Sequence, residues 1–263
     1  MELLKQENML TGFLRLDLRA GKYAGLLVRA SGVNFAAATS ALADLGNIKI
    51  QHQNFGERVN ATFKFFNERT NLLNGVASNV SAIGAGFDFA AIISFRRRFD
   101  KTNILNVRAD LKTTLSWDGF APLAALIASG TLEVYGIYDD TGYQRYLPMI
   151  RTQQSAVPAA MTLKEQIPFP FCEELWGEND AQIGTIQVLR DGKITVDGAW
   201  GALYDWSNAE NNIETAVDTV GMVEPHGESP SNIGQTTFQL VSLAALTGNV
   251  FTYHYFVCEP VKV

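Results

Sequence analysis

Two stretches of this chain finish in the same way, and that repetition limits the fold more than any other feature. Leu123, Ala124, Ala125 and Leu126 are followed by Gly130 and an aromatic run from Leu132 to Tyr138. Leu243, Ala244, Ala245 and Leu246 are followed by Gly248 and an aromatic run from Val250 to Phe256. Tyr135 aligns with Tyr253, and Tyr138 with Phe256. The openings run parallel more loosely: residues 13–19 match 167–171, 26–31 match 185–190, and 47–50 match 193–196. Four features in the same order point to an internal duplication. The 263 residues suffice for two units of roughly 130 residues each.

Both units read as β. In residues 13–19, Leu14, Leu16 and Leu18 alternate with Arg15, Asp17 and Arg19, the period of a half-buried strand. Residues 23–30, 48–53, 87–99, 131–138, 182–190, 193–197, 238–243 and 250–259 are further strand patterns, rich in β-branched and aromatic residues. Asp191 and Gly192 suit a two-residue hairpin, because both positions must tolerate positive φ. Helical signals are short: 36–45, which stops at Gly46, and 122–128, with Pro122 at its start; 60–73 fits either type. The expected fold class is all-β: two consecutive eight-stranded jelly rolls with a few short helices. The expected divisions are an N-terminal arm (1–10), a first jelly roll (11–151), a linker (152–162) and a second jelly roll (163–263).

Composition excludes several functions. Apolar residues make up 47% of the chain, which supports a sizeable core. Charged residues are only 18%, so part of the surface is expected to be covered by neighbours. A net charge of −6 argues against sequence-specific nucleic-acid binding, which needs a basic face. The start carries Glu2, Lys5, Gln6 and Glu7 and so lacks the apolar core of a secretory signal. The apolar stretch 121–128 is too short to span a bilayer. Cys172 and Cys258 show no metal or redox spacing and are expected to be free thiols at opposite ends of a barrel.

No catalytic constellation emerges, and no cofactor is expected. His52, His226 and His254 contain no His-x-His pair of the kind a β-barrel metal site uses. Glu173 and Glu174, beside Trp176, are the best pair for glycoside hydrolysis, but adjacent strand residues point to opposite faces. Asp139 and Asp140 could offer oxygens to calcium, but a solvated turn is the simpler reading. Arg96, Arg97 and Arg98 form the basic cluster, either a solvated strand end or a contact with anionic lipid or a neighbouring subunit.

The run Leu14, Arg15, Leu16, Asp17, Leu18, with Gly21, Tyr23, Leu27, Val28, Arg29, Ser31, Gly32 and Val33, resembles the opening of corticovirus-type major capsid proteins. The expected helix at 36–45, the strand Ile48, Lys49, Ile50, the segment 188–192 and the closing aromatic strand also look similar. The resemblance implies a structural capsid protein of a tailless bacteriophage, found in the virion and made in the host bacterial cytoplasm. It implies homotrimers of pseudo-hexagonal outline, lattice contacts, a vertex (penton) partner and an icosahedral shell over an internal lipid membrane. Within that picture Leu3, Leu4, Met9 and Leu10 of the arm, with Arg96 to Arg98, are candidates for contact with membrane or neighbour. The competing expectation is a carbohydrate- or receptor-binding β-sandwich, with Trp117, Trp176, Trp200 and Trp206 lining a sugar site.

Overall fold

Alternating burial makes strands of most of this chain, and the way the strands pair is repeated. The computed structural model describes residues 1–9, 13–34, 45–73, 86–96, 101–118, 127–170, 172–203, 205, 220–225 and 234–261. Two units divide chiefly between Met149 and Ile150, with Leu72 and Leu73 counted in the second and Pro260 and Val261 in the first. The first holds β1 (Glu2–Asn8), β2 (Leu14–Asp17), β3 (Gly21–Asn34), β4 (Asn47–His52), β5 (Gly56–Thr62), β6 (Gly86–Ser94), β7 (Leu105–Val107), β8 (Thr113–Asp118) and β9 (Ile127–Tyr138). Its one described α-helix is α1 (Phe63–Leu73). The second follows with β10 (Tyr146–Ala156), entering it at Ile150, then β11 (Met161–Gln166), β12 (Cys172–Glu178), β13 (Ile183–Arg190), β14 (Lys193–Ala199), β15 (Val220–Pro225), β16 (Thr236–Ser242) and β17 (Val250–Pro260).

In the first unit the strands lie side by side in the orders β1-β9-β3-β6 and β2-β8-β4-β5, with β7 added to β3. In the second the orders are β10-β17-β12-β15 and β11-β16-β13-β14. With β7 set aside, each unit pairs its eight strands as first-eighth-third-sixth and second-seventh-fourth-fifth. That is jelly-roll order, and it occurs twice. The registered pairs are antiparallel, as in β3 with β9, where Val28 meets Val134, and β13 with β16, where Val188 meets Phe238.

Each sheet of the first unit buries one face. Leu26, Val28 and Ala30 of β3, Leu132 and Val134 of β9, and Ala91 and Ile93 of β6 are all fully buried. From the other sheet come Leu14, Ile48, Ile50, Val59, Ala61, Leu115 and Trp117. The segment that fitted either type resolves at Thr62. Its hydroxyl accepts the Phe65 amide at 3.1 Å, an N-cap bond that ends β5 and starts α1. The helix then serves β6. Asn67 Nδ2 donates to Ala90 O at 2.7 Å, and Ile92 N donates to Thr70 Oγ1 at 2.8 Å. Side chains thus occupy backbone groups on the side of β6 away from β3. The hairpin at Asp191 and Gly192 forms as expected, with φ of 47° and 78°.

Several expectations need correction. The N-terminal segment is not outside the barrel: Glu2–Asn8 is the first strand of the first jelly roll, antiparallel to β9. Its mixed charges belong to an edge strand, where they discourage further pairing. The segment 152–162 is strand as far as Ala156 and again from Met161. It reads as a loop because its polar side chains bond across strands. Gln154 donates to Thr252, Gln153 accepts from the Tyr253 hydroxyl, and Ser155 donates to Glu165. Of the expected helix at 122–128, Ile127 and Ala128 are strand; the rest, like 36–44, lies outside the described residues.

The two cysteines are buried and form no disulfide, but they do not lie at opposite ends. In the antiparallel pair β12 and β17, Cys172 opens one strand and Cys258 lies near the end of the other, so Cys172 faces Val257. Antiparallel neighbours bring the start of one strand beside the end of the next. Adjacent positions on β17 point to opposite faces, so Cys258 points away from the face that Cys172 shares with Val257.

Candidate functional site

Among the described residues no group of three His, Cys, Asp or Glu side chains is placed to hold a metal ion. No described helix is long and apolar enough to cross a membrane. The residues weighed for chemistry are structural. Glu173 and Glu174 are both buried, and Glu174 Oε2 accepts from Trp176 Nε1 at 2.9 Å. Fully buried His254 shares a 2.8 Å hydrogen bond with the Thr152 hydroxyl. His52 Nδ1 accepts the Asn54 amide, and burial pushes its imidazole below the usual value. His226 lies outside the described residues.

Asp139 is engaged as well. One carboxylate oxygen accepts the amide and hydroxyl of Thr141, and the other accepts from Arg96 Nη2. The Thr141 bonds first, and Arg96 second, hold its carboxyl below the usual range. Arg96 therefore closes a turn inside the first unit; Arg97 and Arg98 lie outside the described residues. Of the arm candidates, Met9 is fully buried, Leu4 half-buried and Leu3 exposed, while Leu10 is outside the described residues.

Three of the four sugar-site tryptophans are core. Trp117 and Trp176 are fully buried and Trp200 is 3% exposed. Trp200 donates to Asn179 Oδ1 at 2.8 Å and packs edge-on against Phe251. Trp206 is not among the described residues. An open hollow of about 600 Å³ lies at the loops 17–20, 53 and 108–113. Each of its charged side chains is already partnered, Lys112 with Asp17 at 3.0 Å, Arg108 with Asp110 at 2.8 Å and Arg19 with Glu2 at 3.1 Å.

What remains is surface. The outward face of the first unit's β1-β9-β3-β6 sheet carries a row across all four strands. Leu3 is paired with Tyr135, Tyr135 with Leu27, and Leu27 with Ile92. Beside it Arg29 clasps Asp88 through two bonds of 2.7 and 2.6 Å, and Glu133 through one of 3.1 Å. A resemblance at residue level singled out Leu27 and Arg29. Their cross-strand company was invisible without the register.

Acid should test these clasps. The Arg29 hydrogen bonds chiefly lower the Asp88 carboxyl, and the Thr114 and Lys112 bonds lower Asp17. A carboxyl depressed on folding stabilises fully above its unfolded value of about 3.9, and that stabilisation is lost as pH falls through the folded value. The melting temperature should therefore hold from neutral pH to about 5 and fall below about 4. Asp88→Asn should flatten part of that acid limb in a thermal titration. An acid limb of unaltered slope would remove the assignment to Asp88.

Comparison with protein-family models and with curated proteins gives no match. Solved structures do match. The STIV MCP, from Sulfolobus turreted icosahedral virus, superposes with a TM-score of 0.69 at 10% identity, covering 98% of this chain and 95% of that one. The major capsid protein P2 of bacteriophage PM2 gives 0.62 at 11% identity, over 100% of this chain and 96% of that one. The PBCV-1 virus capsid gives 0.58 at 9% identity, over 94% and 89%. Taken with the twice-repeated strand order, these matches show that the chain has the double jelly-roll fold of viral major capsid proteins.

Proposed function

We propose that the protein is a structural capsid protein that builds a viral shell from copies of itself. The observation that carries this is the fold over the whole chain: eight strands in jelly-roll order, twice, matched end to end in viral capsid proteins. Fold alone does not assign function, so the surface matters too. The charged share of 18% and the outward apolar row suit a protein that spends its life against neighbours. The finer form of the proposal follows the corticovirus-type resemblance: homotrimers of pseudo-hexagonal outline, a separate protein at the vertices, and an internal membrane in a bacteriophage virion. The carbohydrate-binding alternative loses three of its four tryptophans, because Trp117, Trp176 and Trp200 are committed to the core.

Sedimentation of the purified chain, followed by electron microscopy, tests this reading. Trimers that pass into sheets or shells as concentration rises are expected. A protein that remains monomeric at high concentration in its native fold overturns it. Deleting residues 1–9 is no test of a membrane role, because it removes β1 from the barrel.

A further inference from the structure

The two jelly rolls correspond strand for strand but differ in how much of them is covered. In the second unit, β12 is buried at six successive positions, Cys172 to Gly177, and β17 at eight, Phe251 to Cys258. Side chains on a strand alternate between faces, so both faces of these two strands are withdrawn from solvent within a single chain. Their counterparts are β3 and β9. There burial alternates from Leu26 to Ser31 and from Leu132 to Tyr135: Leu26, Val28 and Ala30 are buried while Leu27, Arg29 and Ser31 are not, and Leu132 and Val134 are buried while Glu133 and Tyr135 are not. One face of this design is therefore covered in one unit and open in the other.

The open copy is not dressed for water. Leu3, Tyr135, Leu27 and Ile92 form an unbroken apolar row over four strands, and Leu3 is 44% exposed. The neighbouring guanidinium of Arg29 is already claimed by Asp88 and Glu133. A flat apolar strip beside a self-satisfied ion cluster can be covered without stranding a charge.

We infer that the outward face of the β1-β9-β3-β6 sheet, centred on Leu27 and Tyr135, is a self-association surface whose occupant is a second copy of this chain. The second unit supplies the reason for that occupant: β12 and β17, the counterparts of β3 and β9, are already buried on both faces within this sequence. This inference rests on the proposed self-assembly and adds where assembly takes hold. A monomer would leave the strip wet, whereas a ring or lattice of copies gives both units the same environment.

The test uses the full chain and three single variants: Leu27→Lys and Tyr135→Lys in the strip, and Asn54→Lys at the exposed β4–β5 turn as control. Sedimentation over a range of concentrations reads association, and circular dichroism with thermal melting reads the fold. Both strip variants should keep the strand spectrum and the melting midpoint, yet weaken self-association by about a hundredfold or more. Asn54→Lys should associate like the unaltered chain. If Leu27→Lys fails to fold, Tyr135→Lys decides, because it replaces a side chain that is already half-exposed with one of similar reach. Should both strip variants associate as tightly as the unaltered chain, this face is the wrong one, while self-assembly stands. Should the unaltered chain itself never associate, the proposed function and this inference fall together.

Discussion

Asn103→Ala will destabilise the first unit by about 4 kcal/mol or more, a large effect for a single polar side chain. Asn103 is fully buried. Its Nδ2 donates to Phe95 O at 2.7 Å and to Tyr146 O at 3.3 Å. Its Oδ1 accepts Arg145 N at 3.1 Å and Tyr146 N at 2.9 Å. Every donor and acceptor of the amide is therefore used, and all four bonds go to backbone groups. Alanine would strand those groups, each at a cost of roughly 1–3 kcal/mol, with partial relief from relaxation or an entering water. The melting point should fall by about ten degrees. Asn103→Asp should not rescue it, because it loses both donors and places a charge in a dry interior. A loss under about 1 kcal/mol would mean that other groups take over these bonds.

Trp117→Ala should cost about 3–5 kcal/mol, for a different reason. The ring stacks on Phe63 at 4.9 Å with planes 10° apart, and Nε1 donates to Leu45 O at 2.6 Å. It lies between Leu14 on β2 and Ile48 on β4. Removing it empties the middle of the β2-β8-β4-β5 layer and releases the start of α1 from its stack. Trp117→Phe separates the contributions: it keeps most of the apolar area but leaves Leu45 O without its donor, at about 1–2 kcal/mol. Urea unfolding should show a lower midpoint with an unchanged slope for both variants. Equal losses in the two would show that the hydrogen bond, not the ring, dominates.

Much of the architecture could be read from alternation and from the repeated closing pattern. The final strands of the two halves, β9 and β17, are true counterparts in the pairing order. The looser opening parallels slipped by one strand. Residues 26–31 lie in β3, whose counterpart is β12, whereas 185–190 lie in β13. The first strand of each unit was hidden, β1 by its charges and β10 by its run of Thr, Gln and Ser, which shortened both halves alike; the slip between them comes from β12. Burial on both faces also erased the alternation in β12, whose sequence Cys-Glu-Glu-Leu-Trp-Gly-Glu has no period of two. The surface row was not legible, because Leu3, Leu27, Ile92 and Tyr135 are far apart in the chain and only register joins them. Asn103 gave no signal, since a lone asparagine in sequence does not reveal four buried partners.

The way α1 holds β6 has a consequence for the self-assembly proposed above. A chain that builds a shell must reach a high concentration of one sequence, and a bare strand margin would then template the wrong polymer, an endless ribbon in place of a closed container. Asn67 and Thr70 occupy Ala90 O and Ile92 N, so along that margin the copy-to-copy ladder is blocked before assembly begins. Geometric closure and fibre formation compete for the same subunits. Two side chains on a short helix help to decide that competition in favour of closure.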